Sequence, residues 1–427
     1  MKKIMKTHKG LMLLATLAAA AGITLTALRP AHAADTSTNR TKITFWSGLT
    51  GPYQKNLNTI VNDYNQSQTK YQVVATSQGD YTQMNQKVMA AAKSHSLPVL
   101  GMTTYTNLPD YQHHGFIDNL NPMYKGMSSK AKNDIYPAFL SGSKIGKTYY
   151  STPFSKSTRI MYVNKDILKK YHLSIPKTWE QLKQDGAKLK KDGIYAYGFD
   201  KSFDMEWEGM AHAAGVTPVS STGKVQVANK KSIAAANFVL DMVKDGTAKS
   251  AGSDNYWTKN FVNGKSAFYI GSSAGLTQTK LQAPKTLNWT TVPVPSYEGK
   301  SGTEVAGNDL VLFKGANTKQ KCGAYDFMKY LLKAKTATKW AKLTGYVPLS
   351  KSATNSADYQ SFLKQHPENK AAVDSLPKAF AQPAFAGFGE YYNDKGDAFN
   401  SMLTKNTSAK DALTKLAKQA KQITSAN

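Results

Sequence analysis

A strand, a helix and a second strand follow one another soon after residue 40, and this order restricts the fold more than any other feature of the chain. Lys42-Ile43-Thr44-Phe45-Trp46 reads as a strand. Leu57, Ile60, Val61 and Tyr64 then fall at helical spacing, and Tyr71-Gln72-Val73-Val74-Ala75 reads as another strand. Such a unit places two strands side by side with a helix across them, which is the start of an α/β fold. The pattern recurs with a predicted helix over 81–93 and an apolar run over 98–102.

Further on, 149–164 is rich in Tyr, Ser, Thr and β-branched residues and reads as extended chain. Helices are predicted over 179–191 and 231–245, and strands over 266–270 and 309–313. A helix carrying Phe327, Met328, Leu331 and Leu332 follows. The final helix has Leu413, Leu416, Ala417, Ala420 and Ile423 on one stripe, and Ser408 with Asp411 resembles its capping box. Internal repeats and low-complexity linkers are absent, which favours two lobes that share interleaved segments.

At the other extreme of the chain, Lys2, Lys3, Lys6 and Lys9 precede an apolar stretch from Leu11 to Ala27, and Ala31-His32-Ala33 follows. A basic start, an apolar middle and a small-x-small site are the parts of a secretory signal, here expected over 1–33 with cleavage after Ala33. No cysteine stands near the end of the apolar stretch, so an exported protein that is not a lipoprotein is expected. The only cysteine is Cys322, which excludes an intrachain disulfide. Stability must come from burial, and apolar residues suffice for two cores.

Charge bears on partners. The chain has 55 Lys and Arg against 28 Asp and Glu, and losing Lys2, Lys3, Lys6, Lys9 and Arg29 with the signal leaves 50 against 28, a net of +22. Such a field favours polyanions, and for a secreted protein anionic cell-envelope polymers are the expected ones. The lysines are spread along the whole chain, as solvated helix faces would also spread them. No nucleic-acid-binding signature accompanies the charge, so nucleic acid is not an expected partner.

Catalytic sets are incomplete. Gly271-Ser272-Ser273-Ala274-Gly275 fits the G-x-S-x-G elbow of serine hydrolases, but the only later histidine is His366, in a polar run that reads as a surface loop. Asp204, Glu206 and Glu208 resemble paired glycosidase carboxylates, yet neighbours at alternate positions rarely face each other across a bond, and polar loop residues are the expectation. His113-His114 lacks a third ligand at metal spacing. A secreted hydrolase of esters or glycosides is therefore the alternative, and neither metal nor cofactor is expected. Aromatics say more: Trp46, Tyr81, Trp179, Trp207, Tyr256, Trp257, Tyr346, Tyr391 and Tyr392 include several in polar, glycine-containing contexts, where their faces could hold a sugar-like ligand.

Several local patterns occur in an order that resembles the extracellular solute-binding proteins of ABC-type carbohydrate importers. They are Phe45-Trp46, Gly79-Asp80-Tyr81, Thr152-Pro153-Phe154 leading to Tyr162-Val163-Asn164-Lys165-Asp166, Pro176-Lys177-Thr178-Trp179, Phe261 to Ala267, and Trp340 with Thr344-Gly345-Tyr346-Val347-Pro348. The resemblance runs from about Ile43 to the C-terminus. It implies the type II periplasmic-binding-protein fold, two α/β lobes joined by a hinge, with 41–152 plus 304–345 in one lobe and 153–303 plus 346–427 in the other. It implies a monomer that delivers a small polar ligand to membrane permease subunits, the ligand being glycerol-3-phosphate, a glycerophosphodiester, or a sugar or oligosaccharide. The family's pocket positions correspond here to Tyr81, Tyr105, Ser157, Ser272, Gly307 and Tyr346, and Trp207 joins them as an aromatic surface. Tyr105 stands where members that take glycerol-3-phosphate have a glutamate. Gly389 stands near where they have an arginine for the phosphate. That loss is expected to weaken binding of a phosphate monoester and to leave space for a bulkier ligand, with Lys156 or Arg159 as substitute cations.

Overall fold

The computed structural model describes residues 40–383 and 385–426; the expected secretory signal lies outside them. The first strands are β1 (Thr41–Ser47), β2 (Tyr71–Ser77) and β3 (Leu100–Thr104), and β1 pairs in parallel with both others. Between β1 and β2 runs the helix Gly51–Ser67, which buries Leu57, Ile60, Val61 and Tyr64 as their spacing predicts. The helix Tyr81–Lys93 begins at a capping box in which the Asp80 carboxylate accepts from Gln83 N and the Gln83 amide returns the bond to Asp80 N.

Next comes β4 (Thr152–Asn164), buried along its whole length. Strands β5 (Tyr195–Phe199), β6 (Ala248–Ser250), β7 (Ser266–Ser272) and β8 (Trp289–Pro293) follow, then β9 (Thr303–Leu312) and a two-residue β10 (Ala379–Phe380). The strand order is β2-β1-β3-β9-β4-β7-β5-β6, with β8 against β4 and β10 against β9. Residues 152–158 of β4 pair with β9, and residues 159–163 pair with β7. The same strand thus belongs to both halves of the sheet. β9 likewise pairs with β3 through Asn308–Leu312 and with β4 through Val305–Leu310, with a bulge at Asn308/Asp309.

Apolar side chains gather into three large clusters where two were expected. One holds Ile43, Phe45, Leu100, Leu310 and Phe327; a second holds Met161, Trp179, Phe199, Trp207, Phe399 and Leu413. The third joins Phe139, Ile160, Tyr162, Phe261, Val347 and Ala372. It exists because alternate residues of β4 face opposite ways, Met161 and Val163 into the second cluster and Ile160 and Tyr162 into the third, where residues from 347–376 cover them. The C-terminal helix Ala409–Ala426 buries the predicted stripe apart from the half-buried Ala417, and Ser408 Oγ accepts from Asp411 N at 3.0 Å. Among the described residues no helix is long and apolar enough to cross a membrane.

Candidate functional site

The helix start at Asp80 fixes Tyr81 at the end of β2, and the left-handed Gly345 (φ 78°) that closes the helix Ala334–Thr344 turns Tyr346 toward it. Their hydroxyls share a hydrogen bond, and Asn308 Nδ2 donates to Tyr81 Oη at 2.7 Å. Tyr346 stacks on Trp340 (6.1 Å between ring centroids, 9° between planes) and meets Tyr53 edge-on at 6.2 Å. Tyr53 Oη in turn donates to Ala274 O, 2.8 Å away, in the loop after β7. Burial raises the pKa of Tyr81 and Tyr346, so both phenols stay neutral. Asn308 Oδ1 is buried with no hydrogen-bond partner, which leaves an acceptor beside these hydroxyls in want of a donor.

Ser157, Ser272 and Gly307 lie on the crossing strands. Ser157 is opposite Ala306, Gly307 opposite Lys156, and Ser272 opposite Arg159. Gly307 has φ 106°, and a Cβ there would run into the Ser155 carbonyl oxygen, so backbone approach dictates glycine. Ser272 Oγ accepts from Ala274 N at 3.2 Å and caps the turn Ser273–Gly275. Buried Ser273 accepts from Thr158 N through its Oγ, whereas His366 is half-buried beside Phe362 and Glu368. The hydrolase elbow is thus a structural turn.

Four residues before Asn308 on β9, Glu304 Oε1 accepts from Tyr105 Oη at 3.0 Å, and the Tyr105 ring meets Phe388 and Tyr392 edge-on. Glu304 belongs to a buried ionic group in which Lys395 Nζ lies 2.6 Å from Glu208 and 3.2 Å from Asp204. Burial works against the Lys395 charge, but Glu208, Asp204 and Glu304 outweigh it and hold the lysine protonated. One cation cannot neutralise three carboxylates, and burial together with Glu208 pushes the Glu304 carboxyl up to about 8. A second group joins Arg159 to Glu206 (2.6 Å) and Asp200 (3.2 Å), while Tyr269 Oη donates to Asp200 at 2.7 Å.

These placements correct several sequence expectations. Trp207 has no exposed surface; it packs on Phe399 and its indole N–H donates to Ser232 O, so it is a core residue without a face for ligand. Trp179, Trp257 and Tyr391 are core residues as well. Asp204, Glu206 and Glu208 are not loop residues: they lie on the helix Asp204–Ala213, where ion pairing permits their burial. The space beside Gly389 is filled, because a Cβ there would stand 2.7 Å from the Asp110 carboxylate, which accepts from Gly387 N at 2.9 Å. Neither proposed substitute cation is free, since Lys156 pairs with Asp309 and Arg159 with two carboxylates.

The sequence reading missed Tyr53, Asp110, Glu304, Asn308 and Lys395. Asn308 and Glu304 carry a weak signal, as polar residues next to a predicted strand. Lys395 carries none, since Glu208 is 187 residues away.

Residues 59–371 match the family model of the bacterial extracellular solute-binding proteins, and the chain belongs to that family. Members of the family bind solutes and are not enzymes. Among curated relatives, the sn-glycerol-3-phosphate-binding periplasmic protein UgpB of Yersinia pseudotuberculosis is 27% identical over 354 residues, 79% of this chain and 80% of the relative. The Escherichia coli K12 protein of the same name is 25% identical over 353 residues, with the same shares covered. Among solved structures, UgpB from Mycobacterium tuberculosis in complex with glycerophosphocholine superposes with a TM-score of 0.79 at 19% identity, over 90% of this chain and 98% of that one. The cyclic alpha-maltosyl-1,6-maltose binding protein from Arthrobacter globiformis gives 0.78 at 20%, over 91% and 100%. Both have the two-lobed fold found here.

Proposed function

We propose that the protein is exported, captures a neutral, hydroxyl-rich solute of the sugar or oligosaccharide class, and hands it to the permease subunits of an ABC importer. One observation carries the ligand class. Lys156 and Arg159 on the crossing strand, and Lys395 in the ionic group beside Glu304, are all committed to carboxylates, and Gly389 faces Asp110. A phosphate monoester offers only acceptors and needs free donors or cations. Tyrosine faces and the unpartnered Asn308 Oδ1 suit C–H surfaces and hydroxyl donors instead.

The residues assigned to the site are Tyr81, Tyr346, Ser157, Ser272 and Gly307, with Tyr105 at its margin and Tyr53 and Asn308 added. The lobes are 41–152 plus 304–345 and 153–303 plus 346–427, with β4 and β9 shared at the hinge, and closure about it holds the ligand. A glycerophosphodiester is the second reading. It is favoured by the glycerophosphocholine complex of the mycobacterial structure, and a diester carries one negative charge on its phosphate where a monoester carries nearly two.

Calorimetry with maltotriose, glycerophosphocholine and glycerol-3-phosphate tests the assignment. Tightest binding to the sugar is expected, and tightest binding to the monoester overturns it. The basic surplus further supports an anionic envelope polymer as a second partner of the monomer.

A further inference from the structure

Outside the tyrosine site the surface carries a groove of about 1170 Å³ that contains none of the expected ligand residues. Segment 132–149 forms one wall with Gln112 and His113; Ser221–Gly223, Lys351 and residues of 381–386 complete it. Its charge is one-sided. Lys132, Lys144 and Lys351 line it, and no aspartate or glutamate does.

Unlike the cations of the hinge, these three make no ion pair among the described residues. Lys144 Nζ lies 4.5 Å above the Tyr149 ring, and Lys351 Nζ donates to Asn133 O at 3.2 Å, which leaves both charges uncompensated. Asp134, the carboxylate nearest in sequence, is occupied by Ser352 N at 2.9 Å and by the Ser352 hydroxyl. The lining includes Ile135, Leu140, Ile145, Tyr149 and Phe385, together with the neutral polar side chains of Asn133, Ser141, Thr222 and Gln382. Lysine stems and the apolar side chains supply a partly apolar floor, and the three charges its cationic rim.

We infer that this groove docks a linear anionic polymer whose phosphodiester charges are separated by short polyol units, so that Lys132, Lys144 and Lys351 meet the phosphates and the floor meets the carbon chain. The inference rests on the envelope-polymer reading and names the place on the molecule where that polymer sits. A single small anion would use one cation and leave most of the groove empty. A polymer engages all three at once, and each contact made releases bound counterions, so its affinity falls steeply with salt. A flat bilayer reaches the rim but not the floor.

Synthetic poly(glycerol phosphate) titrated into the protein at several salt concentrations tests this. Replacing Lys132, Lys144 and Lys351 together by Gln is expected to lower affinity roughly tenfold and to flatten the salt dependence. A control triple at the exposed Lys410, Lys415 and Lys418, which do not line the groove, is expected to change affinity less than about twofold, as exposed, salt-screened charges should. Sugar binding stays as in the parent for both triples, which also shows that they fold. Equal losses in the two triples overturn the groove while leaving a diffuse polymer interaction. No polymer binding by the parent overturns the polymer reading itself, and preferential binding to phosphatidylglycerol vesicles over the polymer assigns the lysines to a membrane surface and overturns the groove likewise.

Discussion

Asn308 and Glu304 stand four residues apart on β9, and each takes part in a hydrogen bond with a tyrosine, yet the two surroundings are built by opposite means. Asn308 donates to Tyr81 among the neutral phenols of Tyr81, Tyr346 and the edge-on Tyr53, and its other amide atom has no partner among the described residues. Glu304 accepts from Tyr105 within a buried group of three carboxylates and one lysine. A neutral, incompletely satisfied site can exchange its partners for ligand hydroxyls at little cost. Buried charges cannot exchange partners without several kcal/mol of desolvation. One strand thus carries both the proposed recognition surface and a fixed ionic group beside it.

The comparison predicts its largest effect at Lys395. Lys395→Met leaves Asp204, Glu208 and Glu304 without their cation, and a loss of about 3–5 kcal/mol in unfolding free energy is expected in a denaturant titration. A loss below about 1 kcal/mol would mean that the strut is decorative. Proton linkage probes the same group from the other side. Glu304 keeps its proton up to about pH 8 in the folded protein, against an ordinary glutamate value of 4.5, so the folded state binds more protons between those values. Stability is then greatest toward the acidic end of that window and declines as pH rises through 8. Tyr105, Tyr391, Tyr392, Asp204, Glu208 and Lys395 all bear on Glu304; burial raises Glu208 as well, so it shares the titration, whereas the phenols and Lys395 are shifted upward out of this window and Asp204 downward. Glu304→Gln should flatten the decline in melting temperature, and an unchanged profile would place the titrating proton elsewhere.

Gly307 comes next, between the two surroundings. At φ 106° with the Ser155 carbonyl against its α-carbon, Gly307→Ala costs about 1–3 kcal/mol in backbone strain. Its effect on affinity should follow from displacement of Asn308 rather than from loss of a ligand contact. A variant as stable as the parent would show that the crossing strands are more pliable than their burial implies.

The same contrast explains what was legible in the sequence. Periodicity revealed β1, the helix Gly51–Ser67, β2 and the helix Tyr81–Lys93, because each buries one face and writes that face into local spacing. It found only the second half of β9, since Thr303–Gly307 is neither apolar nor alternating; its burial is set by β4 and by partners distant in sequence. Tyr81 and Tyr346 were readable from glycine-containing turns beside them. Trp207 misled for the opposite reason: its polar neighbours Glu206 and Glu208 looked like a loop, and only Arg159 and Lys395 explain their burial. Whether a charged residue is solvated or paired is decided by tertiary contacts that no local window contains.

On the neutral side, Tyr346→Ala removes a ring stacked on Trp340 and a hydroxyl bonded to Tyr81, and at least a tenfold loss of affinity is expected, about 1.4 kcal/mol. Trp207→Phe serves as its counterpart. It should lower stability, because the bond to Ser232 O is lost in the core, and leave affinity unchanged. If calorimetry finds the reverse pattern, the ligand sits on the Trp207 side and the site is misassigned.

The smallest effect is expected at Tyr53, which belongs to the neutral side but reaches the loop after β7. Its hydroxyl donates to Ala274 O across the space between the two parts of the sheet, and Tyr53→Phe deletes that one bond while keeping the ring against Tyr346. An intramolecular hydrogen bond of this kind contributes about 0.5–1.5 kcal/mol net. Because the bond joins segments assigned to different lobes, it exists only when they are close, so its loss should fall on the closed state. Ligand should therefore dissociate several-fold faster from Tyr53→Phe, with little change in association rate and little change in the stability of the ligand-free protein. Stopped-flow kinetics separates these quantities. A change confined to association would place Tyr53 at the entrance, and an equal loss of ligand-free stability would make the contact a permanent part of the fold rather than a latch on the closed form.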